Sequence, residues 1–241
     1  MAVQRALLII ADISGYTRFM RFRRMSLAHA QDMVARLLEA AIDAARGFRL
    51  VEVEGDAAFL YALYPEGQEA FATETAVQQA VSMRRAFHAR QQEIVAVNRC
   101  GCDGCRQVAR LKVKFVAHLG EVATQKVKRL SKLAGVDVII VHRMLKNSAP
   151  VPEYLLMSES VFRSSDERVR QHAHRLELEL EGFGKAQGYF VDLQEISAVI
   201  APTLRVTWLG RLRERMGVIL RGLPYMLGIK KPCAGFRNIS A

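Results

Sequence analysis

Residues 5–12, RALLIIAD, form an almost unbroken apolar run that stops at a carboxylate. A run this short and this apolar reads as a strand buried on both faces. From Leu27, LAHAQDMVARLLEAAIDAA sets Met33, Leu37, Leu38, Ala41 and Ile42 at helical spacing and predicts a helix ending near Gly47. Residues 48–54 and 57–64 predict a hairpin with Gly55-Asp56 at its tip, closed by Pro65 and Gly67. A long helix fits 69–96, and two strands fit 110–119 and 121–128, broken at Gly120. VDVIIVHRMLKNS, from Val136, predicts a helix of about three turns, closed by Pro150. YLLMSESVF, from Tyr154, predicts a short strand and then a helix capped by Ser158. HRLELELEGFGKAQGYFVDL, from His174, predicts two last strands joined through Gly182 and Gly184. This order, βα-ββ-α-ββ-α-ββ, implies an α+β fold with helices covering an antiparallel-rich sheet. There is no internal repeat, and Pro202 marks a boundary between a domain over 1–200 and a tail over 201–241.

Charge sharpens that division. The chain of 241 residues has a formal net charge of +11, but the stretch from Thr203 to Ala241 alone carries +7 and the remainder only +4. The basic character therefore belongs to the tail. Hydrophobic residues at 51% against 24% charged are enough to build a buried core, which excludes a disordered chain. The N-terminal apolar run is too short for a signal peptide and contains Asp12. No run approaches the ~18 apolar residues of a spanning helix. Four cysteines in a chain of this size need no disulfide framework, so a reducing, cytoplasmic setting is expected.

Two carboxylates stand out because they interrupt strands. ADISGYTRF puts Asp12 at the end of the first strand, and VEVEGDAAF puts Asp56 at a hairpin tip. As local devices they would cap a helix and a turn. As a pair they resemble the two metal-binding motifs of class III nucleotide cyclases. HLGEV, 118–122, resembles the His-x-Gly-x-Val strand of that family; GVDVIIVHRM lies where it has a helix with asparagine and arginine; LEGFGKAQGYF resembles its closing Lys-Gly strand pair. The likeness covers roughly residues 5–194, and its first two motifs are the specific ones. The whole also resembles an uncharacterised bacterial branch of the superfamily whose members carry a Cys-x-Cys-x-x-Cys loop.

The resemblance implies a ferredoxin-like cyclase fold, a homodimer, and a purine nucleoside triphosphate bound with Mg²⁺ or Mn²⁺. It places the ions on Asp12 and Asp56, and triphosphate oxygens against the backbone at Ile13 and Gly15. The chemistry suits these residues. Hard divalent ions take carboxylate oxygens. Two carboxylates ~4 Å apart repel by about 4 kcal/mol at an effective dielectric near 20, so bringing them together calls for a cation or a proton. The resemblance also gives Arg143 and Lys185 catalytic roles, with Arg143 reaching across from a second copy.

Two departures limit the expectation. The family's transition-state asparagine falls on Ile139, and one lost donor of that kind costs ~10²–10³ in rate, so the resemblance implies a weak purine nucleotidyl cyclase or a binding-only descendant; the alternative is a non-catalytic interaction or scaffold module recruited to a membrane or partner by the basic tail. Asn147 shares a helix face with Arg143 but points to a different turn, so it is no replacement. At the base-reading positions stand Glu52, which is guanine-like, and Lys132, which fits neither purine. These two either read a base or pair with each other and fill the pocket.

Two features remain. CGCDGC sets Cys100, Cys102 and Cys105 within one tight loop, a spacing that suits Zn²⁺ if Cys233, His88 or His118 supplies a fourth ligand; free thiols are the alternative. The stretch 203–228 places Leu204, Trp208, Leu212, Met216, Ile219 and Leu223 at three- and four-residue steps among arginines. Such a helix packs on its own domain or a dimer mate, lies on an anionic membrane surface, or enters a partner's groove. With stacking aromatics scarce, nucleic acid is not the expected partner.

Overall fold

The computed structural model describes residues 3–20, 27–97, 107–128 and 130–199. The strands are β1 (Val3–Ser14), β2 (Arg49–Glu54), β3 (Ala57–Leu63), β4 (Lys112–Val127), β5 (Leu130–Ala134), β6 (Tyr154–Ser158), β7 (His174–Leu180) and β8 (Gly184–Asp192). The helices are α1 (Tyr16–Met20), α2 (Leu27–Ala44), α3 (Glu69–Val97), α4 (Val136–Met144), α5 (Glu159–Arg163), α6 (Glu167–Gln171) and α7 (Leu193–Val199), with a 3₁₀ turn at Val108–Arg110.

All eight strands join one sheet in the order β2-β3-β1-β4-β6-β8-β7, with β5 paired to the far end of β4. Its first four strands, read β4-β1-β3-β2 and antiparallel throughout, are the split βαβ ferredoxin-like unit, with α2 and α3 as its two crossovers. Among the described strands the β4–β6 pair alone is parallel.

β1 is apolar at nearly every position because it is covered on both sides. Leu7, Ile9, Ala11 and Ile13 enter a core with α2 and α3, where Met33, Leu37, Ala41, Val77 and Phe87 are buried. Ala6, Leu8 and Ile10 enter a second core with Val141 and Met144 of α4 and with Phe59, Tyr154, Leu156 and Phe190. Strand alternation assigns Asp12 to this second face.

Several expectations change. β4 does not break at Gly120 but runs sixteen residues through it. β5, α6 and α7 are additions; each is short, and short elements give weak periodicity. α4 stops at Met144, four residues before Ser148. Ser158 precedes α5 without capping it, its hydroxyl being shared with Ser160 Oγ at 2.9 Å. The cysteine loop and the stretch 203–228 lie outside the described residues, as does the whole of 201–241. Among the described residues no helix is long and apolar enough to cross a membrane.

Candidate functional site

The antiparallel pairing of β1 with β3 explains how two aspartates 44 positions apart meet. The end of β1 must lie beside the start of β3, and Asp12 pairs with Ala57, the residue after the hairpin tip. The Ile13 amide donates to the Asp56 carbonyl at 3.1 Å, locking tip to strand. Gly55 makes the tip possible: with φ +61° it takes the first loop position of a two-residue turn, a conformation that resists a side chain. Because the Ile13 amide is used in this way, it is not free to meet a phosphate. Gly15, at φ +88°, turns the chain into α1, whose five residues make little more than one turn and carry little macrodipole.

A third charge completes the cluster. Lys114 lies directly across from Asp12 in the β1–β4 register. Its Nζ stands 3.0 Å from Asp12 Oδ2, with both side chains mostly buried at 21% and 18% exposure. Burial works against the Lys114 charge, but the Asp12 carboxylate, together with Tyr154 and Asp56, outweighs it and holds the ammonium above its ordinary range. Among the described residues Asp56 has no such partner. Burial, and then the Asp12 charge, push its carboxyl up to about 6 against the opposing pull of its own backbone hydrogen bond and Lys114. Two acids with one ammonium leave the cluster short of positive charge. Hard carboxylate oxygens with unmet charge fit Mg²⁺ or Mn²⁺. Among the described residues no group of three or more His, Cys, Asp or Glu side chains is placed to hold a metal, so further ligands to an ion here would be backbone, water or ligand oxygens.

Sequence reasoning missed Lys114. Its signal was a charge inside a strand whose neighbours Val113, Phe115 and Val116 are fully buried, a position where an ammonium needs a partner.

The remaining candidates are not gathered around the aspartates. Glu52 and Lys132 pair with each other, Nζ to Oε2 at 3.0 Å, at an exposed position. Arg143 on α4 is ion-paired to Glu181. Lys185 on β8 is bonded to Glu177 at 2.8 Å and is exposed. β8 lies three strands from β1, and alternation puts Lys185 on the face opposite its neighbour Ala186 and the second core. Neither cation meets Asp12 of its own chain. Ile139 is 48% exposed on the outer side of α4 with Val136. Asn147 ends that helix: its amide donates to the Met144 and Leu145 carbonyls and its Oδ1 accepts from Ala149 N and Tyr154 Oη.

The histidines considered as zinc ligands are engaged elsewhere. His118 Nε2 bonds Asp137 Oδ1 at 2.8 Å, and Asp137 Oδ2 accepts the Glu121 amide at 2.7 Å. These bonds hold the Asp137 carboxyl below its usual range even though burial opposes them. Asp137 also explains Gly120, since an added Cβ there would lie 2.2 Å from Asp137 Cγ. His88 Nε2 lies 2.6 Å from Glu153, a buried carboxylate that Arg84 also grips at 2.9 Å. The cysteines that would complete a zinc site are outside the described residues.

This topology is that of nucleotide cyclase catalytic domains, as comparison with solved structures shows. The adenylyl cyclase CyaB from P. aeruginosa superposes with a TM-score of 0.60 at 16% identity, covering 79% of this chain and 94% of that one. The guanylyl cyclase Cya2 gives 0.61 at 14% identity, over 79% and 92%. The guanylate cyclase domain of RhGC from Catenaria anguillulae, solved in complex with GTP, gives 0.55 at 18%, over 79% and 98%. At these identities the likeness is one of fold. The chain belongs to the family described as "Protein of unknown function (DUF2652)", whose model matches residues 34–154. It is 44% identical over 207 residues to the "Uncharacterized protein Rv2561/Rv2562" of Mycobacterium tuberculosis, covering 86% of this chain and 94% of that one.

Proposed function

We propose that this chain binds a purine nucleoside triphosphate with a divalent cation, as a cytoplasmic homodimer, and cyclises it slowly to a 3′,5′-cyclic nucleotide, the ribose 3′ oxygen bonding to the α-phosphorus as the α–β anhydride bond breaks and pyrophosphate leaves. The observation that carries the reading is the meeting of Asp12 and Asp56 at one lip of the sheet, linked through the Ile13–Asp56 hydrogen bond and short of positive charge. A bound Mg²⁺ or Mn²⁺ supplies neutralisation of the triphosphate and acidifies the attacking ribose hydroxyl. The chain's own part is to hold that ion on two carboxylates and to orient the nucleotide beside it. The Glu52–Lys132 pair, exposed and so worth ~0–1 kcal/mol, opens readily to a base. Arg143 and Lys185 act from the second copy, since neither reaches the aspartates of its own chain. Ile139 offers no donor to a developing charge, which keeps turnover ~10²–10³ below that of a site with the amide.

The test is incubation of the purified chain with ATP or GTP and Mn²⁺, with chromatography of cyclic product and a parallel nucleotide-binding titration, beside Asp12→Ala. Metal-dependent binding with slow product, both lost in Asp12→Ala, is expected. Absence of metal-dependent nucleotide binding in the unmodified chain overturns the proposal.

A further inference from the structure

The cluster already holds one cation, and that cation belongs to the chain. Lys114 projects from the strand beside Asp12, on the same face, with no intervening residue in the register. Its ammonium contacts Asp12 Oδ2 at 3.0 Å from a mostly buried position. Around the pair, Ile10 and Val116 are fully buried and Ala57 is the small cross-strand neighbour of Asp12 on its other side. An ammonium in such a place is held by geometry as well as by charge, because apart from Asp12 its neighbours are apolar wall, the Asp56 carboxylate and the Tyr154 side chain.

We propose that Lys114 is a tethered counter-ion that occupies Asp12 until a divalent ion displaces it. The chain's own ammonium thereby sets the metal concentration at which the site fills. The inference rests on the reading of Asp12 and Asp56 as the ion-holding pair. Metal binding here is an exchange: a metal–carboxylate contact forms while an ammonium–carboxylate contact breaks, and the ammonium that remains nearby repels the newcomer. Charge also fixes stoichiometry. Two carboxylates and one ammonium sum to −1, so one divalent ion brings the cluster to +1 and a second would bring it to +3. Without a polyanionic ligand the site takes one ion. Removing the ammonium leaves −2, which one divalent ion neutralises, so affinity must rise.

The experiment is titration of the full chain with Mn²⁺ at pH 8 and low salt, following free Mn²⁺ by electron paramagnetic resonance. The proteins are wild type, Lys114→Met, Lys114→Gln, Lys114→Arg, Asp12→Asn and the Asp12→Asn/Lys114→Met double variant. Wild type binds one ion. Lys114→Met, or Lys114→Gln if the methionine variant fails to fold, binds Mn²⁺ at least about tenfold more tightly. Lys114→Arg stays near wild type. In the Asp12→Asn background the lysine substitution changes affinity less than it does in wild type, because the competition for that carboxylate is gone and only repulsion remains. Equal or weaker binding in the neutral Lys114 variants, with wild type still binding, overturns the tethered counter-ion alone. No binding in wild type or in the neutral Lys114 variants overturns it together with the aspartate site.

Discussion

Asp56 shows what the candidate site costs the fold. Its carboxyl sits at about 6 against an ordinary value of 3.8, chiefly through burial and then through Asp12. A folded-state pKa above the unfolded one means that ionisation works against folding. The penalty is full above about pH 6 and disappears as pH falls toward 3.8. Asp56→Asn is therefore expected to stabilise the chain by about 1–2 kcal/mol at pH 7.5, after allowance for partial solvent screening. The gain should shrink between pH 6 and 4, and the variant should lose Mn²⁺ binding; thermal melts across that range check the first and a metal titration the second. Ile139 is the opposite case, a residue that fits its surface position and lacks chemistry. Replacing this half-exposed side chain by asparagine should leave the melting temperature within a degree or two and raise cyclic-product formation by ~10-fold or more. An unchanged product rate would show that more than the amide is missing. At this scale the sequence was legible where a residue type broke a pattern, as Asp12 and Asp56 did. Lys114 also broke one, but which carboxylate would answer it was decided by the β1–β4 register.

Among the elements, β4 gives the clearest disagreement between pattern and structure. A glycine amid strand residues suggests a turn, yet β4 continues, and Gly120 is there because Asp137 fills the space of a side chain. Through His118 and the Glu121 amide, the same aspartate moors the start of α4 to the sheet. Gly120→Ala forces Asp137 away and breaks both bonds. We expect a loss of about 2–3 kcal/mol in urea unfolding, mostly absent when Asp137→Ala is already present. An additive double variant would show the two sites to be independent. The amphipathic helix α2 was readable because its apolar positions repeat a helical period over eighteen residues, and the β2–β3 hairpin because Gly55-Asp56 punctuates two strand-like runs. α6 and α7, five and seven residues long, are held by tertiary contacts and carry no comparable signal.

For the molecule as a whole, Glu153 ties distant parts together. Though only 1% exposed, it joins Arg84 and His88 of α3, and it faces the Val113 amide at 3.4 Å, one residue before Lys114. Burial alone would raise this carboxyl, but the His88 and Arg84 bonds override it and hold it down at about 2, against an ordinary 4.5. A depressed carboxyl stabilises the fold above the unfolded value and loses that contribution as pH falls from about 4.5 toward 2. The contribution is about 3 kcal/mol. Acid unfolding followed by circular dichroism should show that limb, and Glu153→Gln should flatten it while lowering stability at pH 7 by leaving Arg84 unpaired. Assembly supplies a second prediction. If Asp12 of one copy works with Arg143 of the other, mixing inactive Asp12→Ala and Arg143→Ala chains restores about a quarter of the wild-type product rate, from the half of the dimers that are mixed and carry one intact site of two. No recovery on mixing would place both residues' roles within one chain.

Local order alone dictated most of the strands, the long helices, the acidic hairpin tip and the charge division between 1–200 and 201–241, because period, punctuation and composition are properties of neighbouring residues; the continuity of β4 and the presence of β5 it did not. Tertiary structure decided which side chains answer one another: Lys114 for Asp12, Lys132 for Glu52, Asp137 for the space over Gly120, Glu153 for Arg84 and His88. Those pairings join residues 17 to 102 positions apart, and only the order and register of strands fix such distances. Among the described residues the same register leaves Asp56 without an ion partner of its own, a shortage of charge that no stretch of sequence could display.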